Sequence, residues 1–256
     1  MPGVGRTPFK MKSKLAWKPR NCLLDRLPAE TCTRLADDLQ HVELPVGKVL
    51  MDTRAATPAA PSNHVYFPRS GIVSVMYVTA EGESGEILNI GNEGMVGLGS
   101  LIGTPPAVHR AVVQAPGEAF VLRAEVVERE FRKGGPFQTM VLRNTRWLLA
   151  QTAQVAICAR HHSIEKQLCR WLLLGFDRQG DRGELRITHE ALANLLGVRR
   201  EGVTEAAGRL QDTGAISYSR GCIRLEDPDA LEQRACECYE VLHKDYQSLC
   251  KGPPFE

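Results

Sequence analysis

The sequence predicts an α+β fold in which an antiparallel β barrel or sandwich is followed by one long helix and then by a winged helix-turn-helix. Between residues 42 and 122, short β-branched runs alternate with glycine-containing turns, which is typical of compact antiparallel sheets. Residues 137–160 carry apolar side chains at three- and four-residue steps, which indicates a helix. Residues 188–214 contain two short helical patterns joined at Gly197, and a hairpin pattern follows them.

Length and charge limit the functions that the chain can have. It has 256 residues, 43 % hydrophobic content and a formal net charge of +2, which suits one or two globular domains and makes any nucleic-acid surface a local one. Residues 1–20 hold six basic and no acidic side chains, so we expect a disordered arm there. We find no signal-peptide core and no apolar run of membrane-spanning length, and therefore predict a cytoplasmic protein without a membrane segment.

The β-rich segment begins with helices and is interrupted by one loop. Two short amphipathic helices, separated by Pro28, are predicted over residues 21–40, and a loop rich in Ala and Pro is predicted over 53–63. A short helix over Glu125–Phe131 ends the segment before a glycine–proline stop. The predicted strands lie in VELPVGKVLM, HVYFPRSGIVSVMYV, GEILNI, HRAVVQA and AFVLRA.

The long helix is predicted from Phe137 to about Arg160. Its apolar residues recur at seven-residue steps, as in a coiled-coil seam, although an ordinary helix packed on its own domain would also show such steps. Its place between a β-rich and a helical segment favours a dimer seam. That seam is predicted to contain Val141, Leu148, Thr152 and Val155.

The C-terminal third of the chain is predicted to be helical apart from one hairpin. Ser163 can cap the helix IEKQLCRWLLLGF, and a polar loop is expected over 175–183. The stretch ISYSRGCIRL predicts a hairpin that turns at Arg220 and Gly221. The stretch ALEQRACECYEVLHKDYQSL predicts a single final helix.

The eight cysteines are expected to be reduced thiols, because nothing marks the chain as secreted. Within one final helix, Cys236 and Cys238 would lie about 200° apart around the axis and would be poorly placed to share a metal. Cys158 lies near His161 and His162 in the sequence, and buried thiols beside a helix-junction histidine pair are the favoured interpretation. No metal site is therefore predicted.

The two short helices have the spacing of a helix-turn-helix. A small side chain at Ala193 lets the second helix approach closely, and Gly197 permits the positive φ of a sharp turn. Val203 then fills the angle between the helices. Thr188 can cap the first helix.

The second of these helices starts with Arg199 and Arg200. The first turn of such a helix is the part that enters a major groove, where arginine can bond O6 and N7 of guanine and glutamate can accept from cytosine. The alternative is that these charges are only a solvated helix face; the capped first helix and the following hairpin favour DNA reading. Residues 186–224 hold six arginines against four acids, so tight binding would need two such units.

With its elements in this order, the chain resembles the Crp/Fnr superfamily of bacterial transcription regulators. The stretch ITHEALANLLGVRREGVTEAAGRLQDTGAI carries most of the resemblance, and VYFPRSGIVSV and GNEGMVGLGSL fit the glycine pattern of the family's barrel. The resemblance implies a cyclic nucleotide-binding-like jelly roll as sensor domain over 21–135 and a dimerisation helix over 136–160. It further implies a winged helix-turn-helix DNA-binding domain over 161–226, followed by a helical extension over 227–256.

The implied function is that of a homodimeric regulator that binds pseudo-palindromic double-stranded DNA, contacts RNA polymerase and responds to a small-molecule effector through its barrel. The family's base-reading pair falls on Arg200 and Glu201. Glu205 occupies a position that is often arginine, which implies a different half-site, and Arg199 replaces a small polar residue and is expected to contact phosphate. The complete predicted DNA-binding set is Thr188, His189, Arg199, Arg200, Glu201, Thr204, Glu205, Arg209, and, on the wing, Ser219 and Arg220.

The resemblance also places an effector pocket in the barrel, but its motifs are incomplete. The first segment lacks the carboxylate that binds the ribose in members specific for cyclic AMP, and the second departs from the Arg-Ser pair that binds the cyclic phosphate. A cyclic nucleotide is therefore a candidate effector only. Cys22 and Cys32 are too few for the four-thiolate iron–sulfur site of the oxygen-sensing branch. The pocket residues are Gly94, Met95, Val96 and Gly97 in the first segment and His109, Arg110 and Ala111 in the second.

Two other functions are considered. An enzyme or a cyclic-nucleotide-regulated signalling subunit could carry such a barrel, but the sequence shows no Ser/His/Asp set, paired carboxylates or Gly-rich phosphate loop, so we predict that the protein is not an enzyme. A constitutive DNA binder, whose barrel is only a scaffold for a dimer or a partner, is compatible with the incomplete effector motifs.

Overall fold

A computed structural model describes residues 20–52, 63–82, 84–101, 109–179 and 183–255. The basic arm predicted at residues 1–20, apart from Arg20, lies outside these ranges. Nearly all of the loop predicted at 53–63 lies outside them as well.

The β-rich segment consists of two antiparallel sheets arranged as a jelly roll. The sheets have the strand orders β1-β7-β3 and β2-β6-β4-β5. Side chains alternate along β4, so Val73 and Val75 enter the core shared by the two sheets, whereas Ser74 faces the helices packed outside. The strands are β1 (Gln40–Leu44), β2 (Val49–Asp52), β3 (His64–Pro68), β4 (Ile72–Val78), β5 (Ser84–Ile90), β6 (His109–Ala115) and β7 (Gly117–Arg123).

Short helices close this segment at both ends. The Asn21 side chain accepts from the backbone N–H groups of Leu23 and Leu24, and its amide donates to the Pro68 carbonyl at 2.8 Å, so the first helix is fixed to the sheet. The helices are α1 (Cys22–Asp25), α2 (Ala29–Leu35) and α3 (Ala124–Arg132), with a 3-10 turn at Leu98–Leu101.

The long helix α4 (Gly135–His161) rests on the jelly roll along one face. The predicted seam is wrong at Val141, which is buried in the chain's own core, and Leu148 also packs against that core. Two of the exposed large apolar residues, Leu142 and Leu149, lie one position after predicted seam residues, because the buried face of the helix takes up Val141 and part of Leu148. Leu142, Leu149 and Ile157 are exposed by 56 %, 67 % and 52 %.

The next helix, α5 (Ile164–Gln179), is longer than predicted. Residues 175–179, expected to open a polar loop, are helical and largely buried. A Cβ on Gly175 would come within 2.8 Å of Leu185 Cδ1. Glycine at this position therefore reflects the close approach of a neighbouring strand and does not mark the end of the helix.

The winged helix-turn-helix follows as predicted. It contains α6 (His189–Leu196), α7 (Arg200–Asp212) and a three-stranded sheet of order β8-β10-β9. Positive φ values at Arg220 (50°) and Gly221 (76°) form the tight turn of the wing. The strands are β8 (Glu184–Arg186), β9 (Ile216–Ser219) and β10 (Cys222–Leu225).

The C-terminal extension contains two helices, α8 (Pro228–Arg234) and α9 (Glu237–Lys251), where one was predicted. The chain is extended at Cys236, with φ −92° and ψ 164°, so the predicted separation of Cys236 and Cys238 around a helix axis does not apply. The last helix packs on α1, α4 and α5.

The expectation that all thiols are reduced is also corrected. Cys22 and Cys250 form a disulfide, although 228 positions separate them in the sequence. The packing of α9 on α1 brings them together, and the same packing lets the Arg26 guanidinium donate to the carbonyl of Leu249 at 2.5 Å. Among the described residues, no helix is long and apolar enough to cross a membrane.

Candidate nucleic-acid interface

The turn between α6 and α7 has the geometry that its spacing predicts. The hydroxyl of Thr188 accepts the N–H of Ala191 at 3.1 Å and caps α6. Gly197 adopts the left-handed conformation, with φ 66° and ψ 34°, at the end of that helix. Ala193 and Val203 are both buried where the two helices cross. Van der Waals contact at the crossing therefore fixes the angle at which α7 leaves the turn.

The exposed start of α7 carries the two arginines in question. Arg199 is the N-cap residue, with φ −74° and ψ 146°, and Arg200 begins the helix. Both side chains are exposed, as is that of Glu201. Within the described ranges, neither guanidinium forms an ion pair, so both can bind an external anion. The helix buries its opposite face through Val203, Ala206, Ala207 and Leu210.

Farther along α7, two predicted DNA-binding residues form ion pairs within the protein. Arg209 Nε lies 2.6 Å from Glu165 Oε2 of α5, and Arg209 Nη1 lies 2.7 Å from Glu205 Oε1. Glu165 also accepts from Arg234 of α8 at 3.0 Å. The hydrogen bond from Arg209 is the largest influence that lowers the pKa of Glu165. Arg209 thus ties α7 to α5, whereas Glu205 is mostly exposed.

His189, at the start of α6, joins the two helices to the wing. Its ring stacks on Tyr218 of β9 with 4.0 Å between centroids, and its Nδ1 lies 3.1 Å from Thr204 Oγ1 of α7. Burial and the nearby charge of Arg200 lower its pKa, so His189 is neutral at neutral pH. Tyr218 was not among the site residues predicted from the sequence. Its only sequence signal is that it is an aromatic residue within the predicted hairpin.

The wing turn lies beside a cleft. Ser219 and Arg220 line it together with two further arginines of the small sheet, Arg186 and Arg224. Val46 and Gln114 of the jelly roll line the same cleft, so this surface lies between the wing and the barrel. Arg186 and Arg224 are exposed, and Glu184, which lines the same cleft, lies 3.8 Å and 3.7 Å from their Nε atoms, so the three side chains together leave one positive charge.

The predicted effector residues fall in two places in the barrel. In the first segment, Met95 and Val96 are buried, and Val96 pairs with Tyr66. In the second segment, at β6, Arg110 Nε lies 3.5 Å from Asp52 Oδ2, and Ala111 is buried. The set of pocket positions is completed by Gly94 and Gly97, which flank the buried pair in the first segment, and by His109, which pairs with Tyr77.

Buried polar contacts join the outer face of the barrel to α5. The indole N–H of Trp171 donates to Glu86 Oε1 at 3.0 Å, and Glu86 also accepts from Asn89 at 3.1 Å. Arg178 binds Glu93 and donates to Asn89 Oδ1 at 2.5 Å. Since α5 also contacts α6 and α7, these bonds connect the barrel to the helix-turn-helix.

A jelly roll that is bonded to a winged helix-turn-helix with exposed arginines at its second helix defines a class of protein: DNA-binding regulators with a sensor-type barrel. Residues 166–234 match the Crp-like helix-turn-helix domain, and residues 56–133 match the cyclic nucleotide-binding domain. The chain belongs to the Crp/Fnr superfamily of bacterial transcription regulators and is a DNA-binding transcription regulator. Since this family regulates transcription and does not catalyse a reaction, the protein is not an enzyme.

Among its relatives are the global nitrogen regulators of two cyanobacteria. The regulator of Synechocystis sp. is 25 % identical over 185 residues, which span 69 % of this chain and 82 % of that protein. The regulator of Nostoc sp. is 24 % identical over 185 residues, which span 69 % and 83 %.

Solved structures share the fold. FixK2 from Bradyrhizobium japonicum superimposes with a TM-score of 0.61 at 14 % identity and covers 77 % of this chain and 98 % of its own. The c-di-GMP-responsive global regulator CLP of Xanthomonas campestris gives a TM-score of 0.59 at 17 % identity, with 78 % and 100 % covered.

Proposed function

We propose that the protein binds a pseudo-palindromic DNA site as a homodimer, with α7 of each protomer in the major groove. The observation that carries this proposal is the pair of exposed arginines at the start of α7, which form no ion pair with any described residue. A helix so exposed at its first turn can place its guanidinium groups against base edges, and two such helices reach half-sites about 34 Å apart.

The residues divide into three roles. Arg200 and Glu201 read base edges, because they occupy the first exposed turn of the helix. Arg199 binds phosphate from the N-cap position, and the wing residues Ser219 and Arg220 contact the backbone beside it. Thr188, His189 and Thr204 surround the same turn and position it on the DNA.

Glu205 and Arg209 act differently from the other predicted contacts. Glu205 is 74 % exposed, so its ion pair with Arg209 contributes little free energy. Its carboxylate can therefore leave Arg209 and accept a hydrogen bond from a cytosine amino group. Arg209 stays with Glu165 and holds α7 at its angle to α5.

The second copy of the chain docks on the exposed stripe of α4. Leu142, Leu149 and Ile157 leave large apolar side chains in water. Leu142 and Leu149 are seven residues apart, as in a coiled-coil seam, and Ile157 lies eight residues farther along the helix. Thr152 and Val155, predicted for the seam, are half-buried on the same length of helix and border this stripe.

The barrel modulates DNA binding through its bonds to α5. An effector that binds better to one arrangement of the barrel and α5 shifts the population toward it and so changes the distance between the two reading helices. The effector itself is left unassigned. We also propose that the regulator contacts RNA polymerase and acts in the cytoplasm, where the bacterial chromosome lies.

A second candidate, a constitutive binder whose barrel is only a scaffold, is favoured by the burial of Met95 and Val96 in the predicted pocket. Genome-wide crosslinking of the full-length protein, followed by binding assays on the recovered fragments, separates these functions. A shared two-fold motif at the recovered sites supports the homodimeric reader, and fragments without any shared motif exclude it. If the occupancy of the DNA sites changes with growth condition while the protein level stays constant, the barrel modulates DNA binding. If the occupancy stays constant, the protein is a constitutive binder whose barrel is a scaffold.

A further inference from the structure

Three thiols and one imidazole meet where the end of α4 lies against the start of α9. They belong to Cys158, His162, Cys236 and Cys238, and their ligand atoms all lie within 4.8 Å of one another. Cys158 Sγ lies 3.6 Å from Cys236 Sγ, and Cys238 Sγ lies 3.5 Å from His162 Nδ1. We call these four residues the thiol–imidazole cluster.

Two breaks in helical structure bring the cluster together. After α4 ends, His162 is extended, with φ −110° and ψ 150°, and its ring turns back toward Cys158 in the last turn of that helix. Between α8 and α9, Cys236 is extended and Cys238 lies in the first turn of α9. Each pair of ligands thus spans one helix end, and the packing of α9 on α4 places the pairs opposite each other.

Two of the ligand–ligand distances are close to the edges of a small tetrahedral site, and all four ligand atoms lie within 4.8 Å of one another. Bonds of about 2.3 Å from Zn²⁺ to sulfur and about 2.0–2.1 Å to nitrogen require neighbouring sulfurs about 3.8 Å apart and a sulfur and nitrogen about 3.5 Å apart. The observed 3.6 Å and 3.5 Å agree with these edges. In a two-iron or four-iron cluster the four protein ligands are divided among several iron atoms, so ligands on different irons stand farther apart than the 4.8 Å within which all four ligand atoms lie here.

Side chains around the cluster are those that a metal site needs. His162 Nδ1 faces the thiols, and its Nε2 lies 3.3 Å from Glu237 Oε1, which fixes the tautomer that leaves Nδ1 free to bind a cation. The amide of Gln154 donates to Cys238 Sγ at 3.0 Å. The buried Arg170 lies beside Cys158 and opposes the net charge of −1 that three thiolates leave on a Zn²⁺ centre.

Burial distinguishes a structural site from a catalytic one. The three cysteines form a buried group of their own, and the side chain of His162 is only 12 % exposed. Four protein ligands in a closed environment leave no open position for a reacting molecule, as in structural Cys₃His zinc sites.

We propose that the thiol–imidazole cluster binds one Zn²⁺ per chain and fastens the C-terminal extension to the end of the long helix. On binding, each of the three thiols releases its proton to solvent and donates a sulfur lone pair to the ion. The site lies next to the junction between α4 and α5, which bend at His162 and Ser163. Bound metal therefore fixes the direction in which the DNA-binding domain leaves α4.

The test measures metal in the full-length protein, purified under reducing conditions, and in its Cys158→Ser and Cys236→Ser variants. The expected result is one zinc per chain in the wild type and loss of that zinc in both variants, measured by inductively coupled plasma mass spectrometry. Cys222→Ser, which removes a partly buried thiol outside the cluster, is the matched control and should keep one zinc.

Cobalt gives a second readout that needs no folded variant. The wild type, reconstituted with Co²⁺, should show the strong visible bands of tetrahedral cobalt and a near-ultraviolet thiolate charge-transfer band, and added Zn²⁺ should abolish both. The proposal is overturned if the reduced wild type binds neither ion, if it holds iron with acid-labile sulfide, or if Cys158 and Cys236 form a disulfide in its place.

Discussion

Arg178 of α5 and Glu93 of the barrel form a two-pronged ion pair away from solvent. Nη2 lies 2.6 Å from Oε1, Nε lies 3.0 Å and 3.1 Å from the two carboxylate oxygens, and the side chains are 1 % and 0 % exposed. The Glu93 charge opposes the effect of burial and leaves the pKa of Arg178 raised. This buried ion pair links the barrel to the first helix of the DNA-binding domain.

Replacing Arg178 by Met should lower the free energy of unfolding by about 3–5 kcal/mol, because Glu93 is left as an uncompensated buried charge. The double variant Arg178→Met with Glu93→Met should recover much of this loss. Urea denaturation followed by circular dichroism measures both. Arg132→Ala, which removes an exposed pair with Glu128, should change the value by less than about 0.5 kcal/mol. A wild-type unfolding curve for Arg178→Met would show that the pair does not form in solution.

Arg200→Ala should weaken specific operator binding by about 1–3 kcal/mol and relax discrimination at one base pair, because a bidentate base contact is lost. Arg199→Ala should instead weaken binding to all DNA sequences equally. It should also reduce the slope of the logarithm of the binding constant against the logarithm of the salt concentration by about one, as expected for a phosphate contact. Fluorescence anisotropy measures both effects, with labelled DNA that carries the sites recovered by genome-wide crosslinking and with single-base variants of those sites. Arg132→Ala is again the control. Unchanged affinity and selectivity in Arg200→Ala would remove that residue from the reading surface.

Glu86 should make the protein less stable as the pH rises above the pKa of an unfolded glutamate carboxyl. Burial raises its pKa, against hydrogen bonds from Ser74 and Trp171 and the charges of Arg170 and Arg178. A carboxyl with a raised folded pKa contributes stability that is full below the unfolded pKa, about 4.3, and is lost as pH rises through the folded pKa. The stability of Glu86→Gln relative to wild type should therefore increase with pH above that point in urea titrations. Glu128→Gln, at an exposed site, should show no such trend.

Leu149→Glu should convert the dimer to monomers, because it puts a charge in the centre of the exposed stripe on α4. Sedimentation equilibrium gives the mass directly. Val46→Glu changes a similarly exposed apolar residue outside α4 and should leave the dimer intact. If Leu149→Glu stays dimeric with wild-type affinity, the two copies meet elsewhere.

Cyclic AMP should show no saturable binding in calorimetric titration, since no carboxylate stands in the first pocket segment to hold the ribose and Arg110 is engaged by Asp52. A micromolar isotherm that disappears in Arg110→Ala would reverse this expectation and identify the effector.

The helix-turn-helix was predictable because its determinants are local. A turn that needs positive φ selects glycine at Gly197, and the close crossing of two helices selects Ala193 and Val203, all within eleven residues of chain. The wing turn at Arg220 and Gly221 was predictable for the same reason. These constraints act through backbone sterics and leave their mark on neighbouring residues.

Contacts between distant segments leave no such mark. The partner of Arg178 lies 85 residues away, and Cys158 meets Cys236 across 78. The face of α4 that rests on the barrel buries Val141 of the predicted seam. The chain is extended at Cys236, so the predicted helical separation of Cys236 and Cys238 does not apply. Which side chains meet there depends on how separate helices and sheets pack in three dimensions, and burial then fixes their charges and bonding.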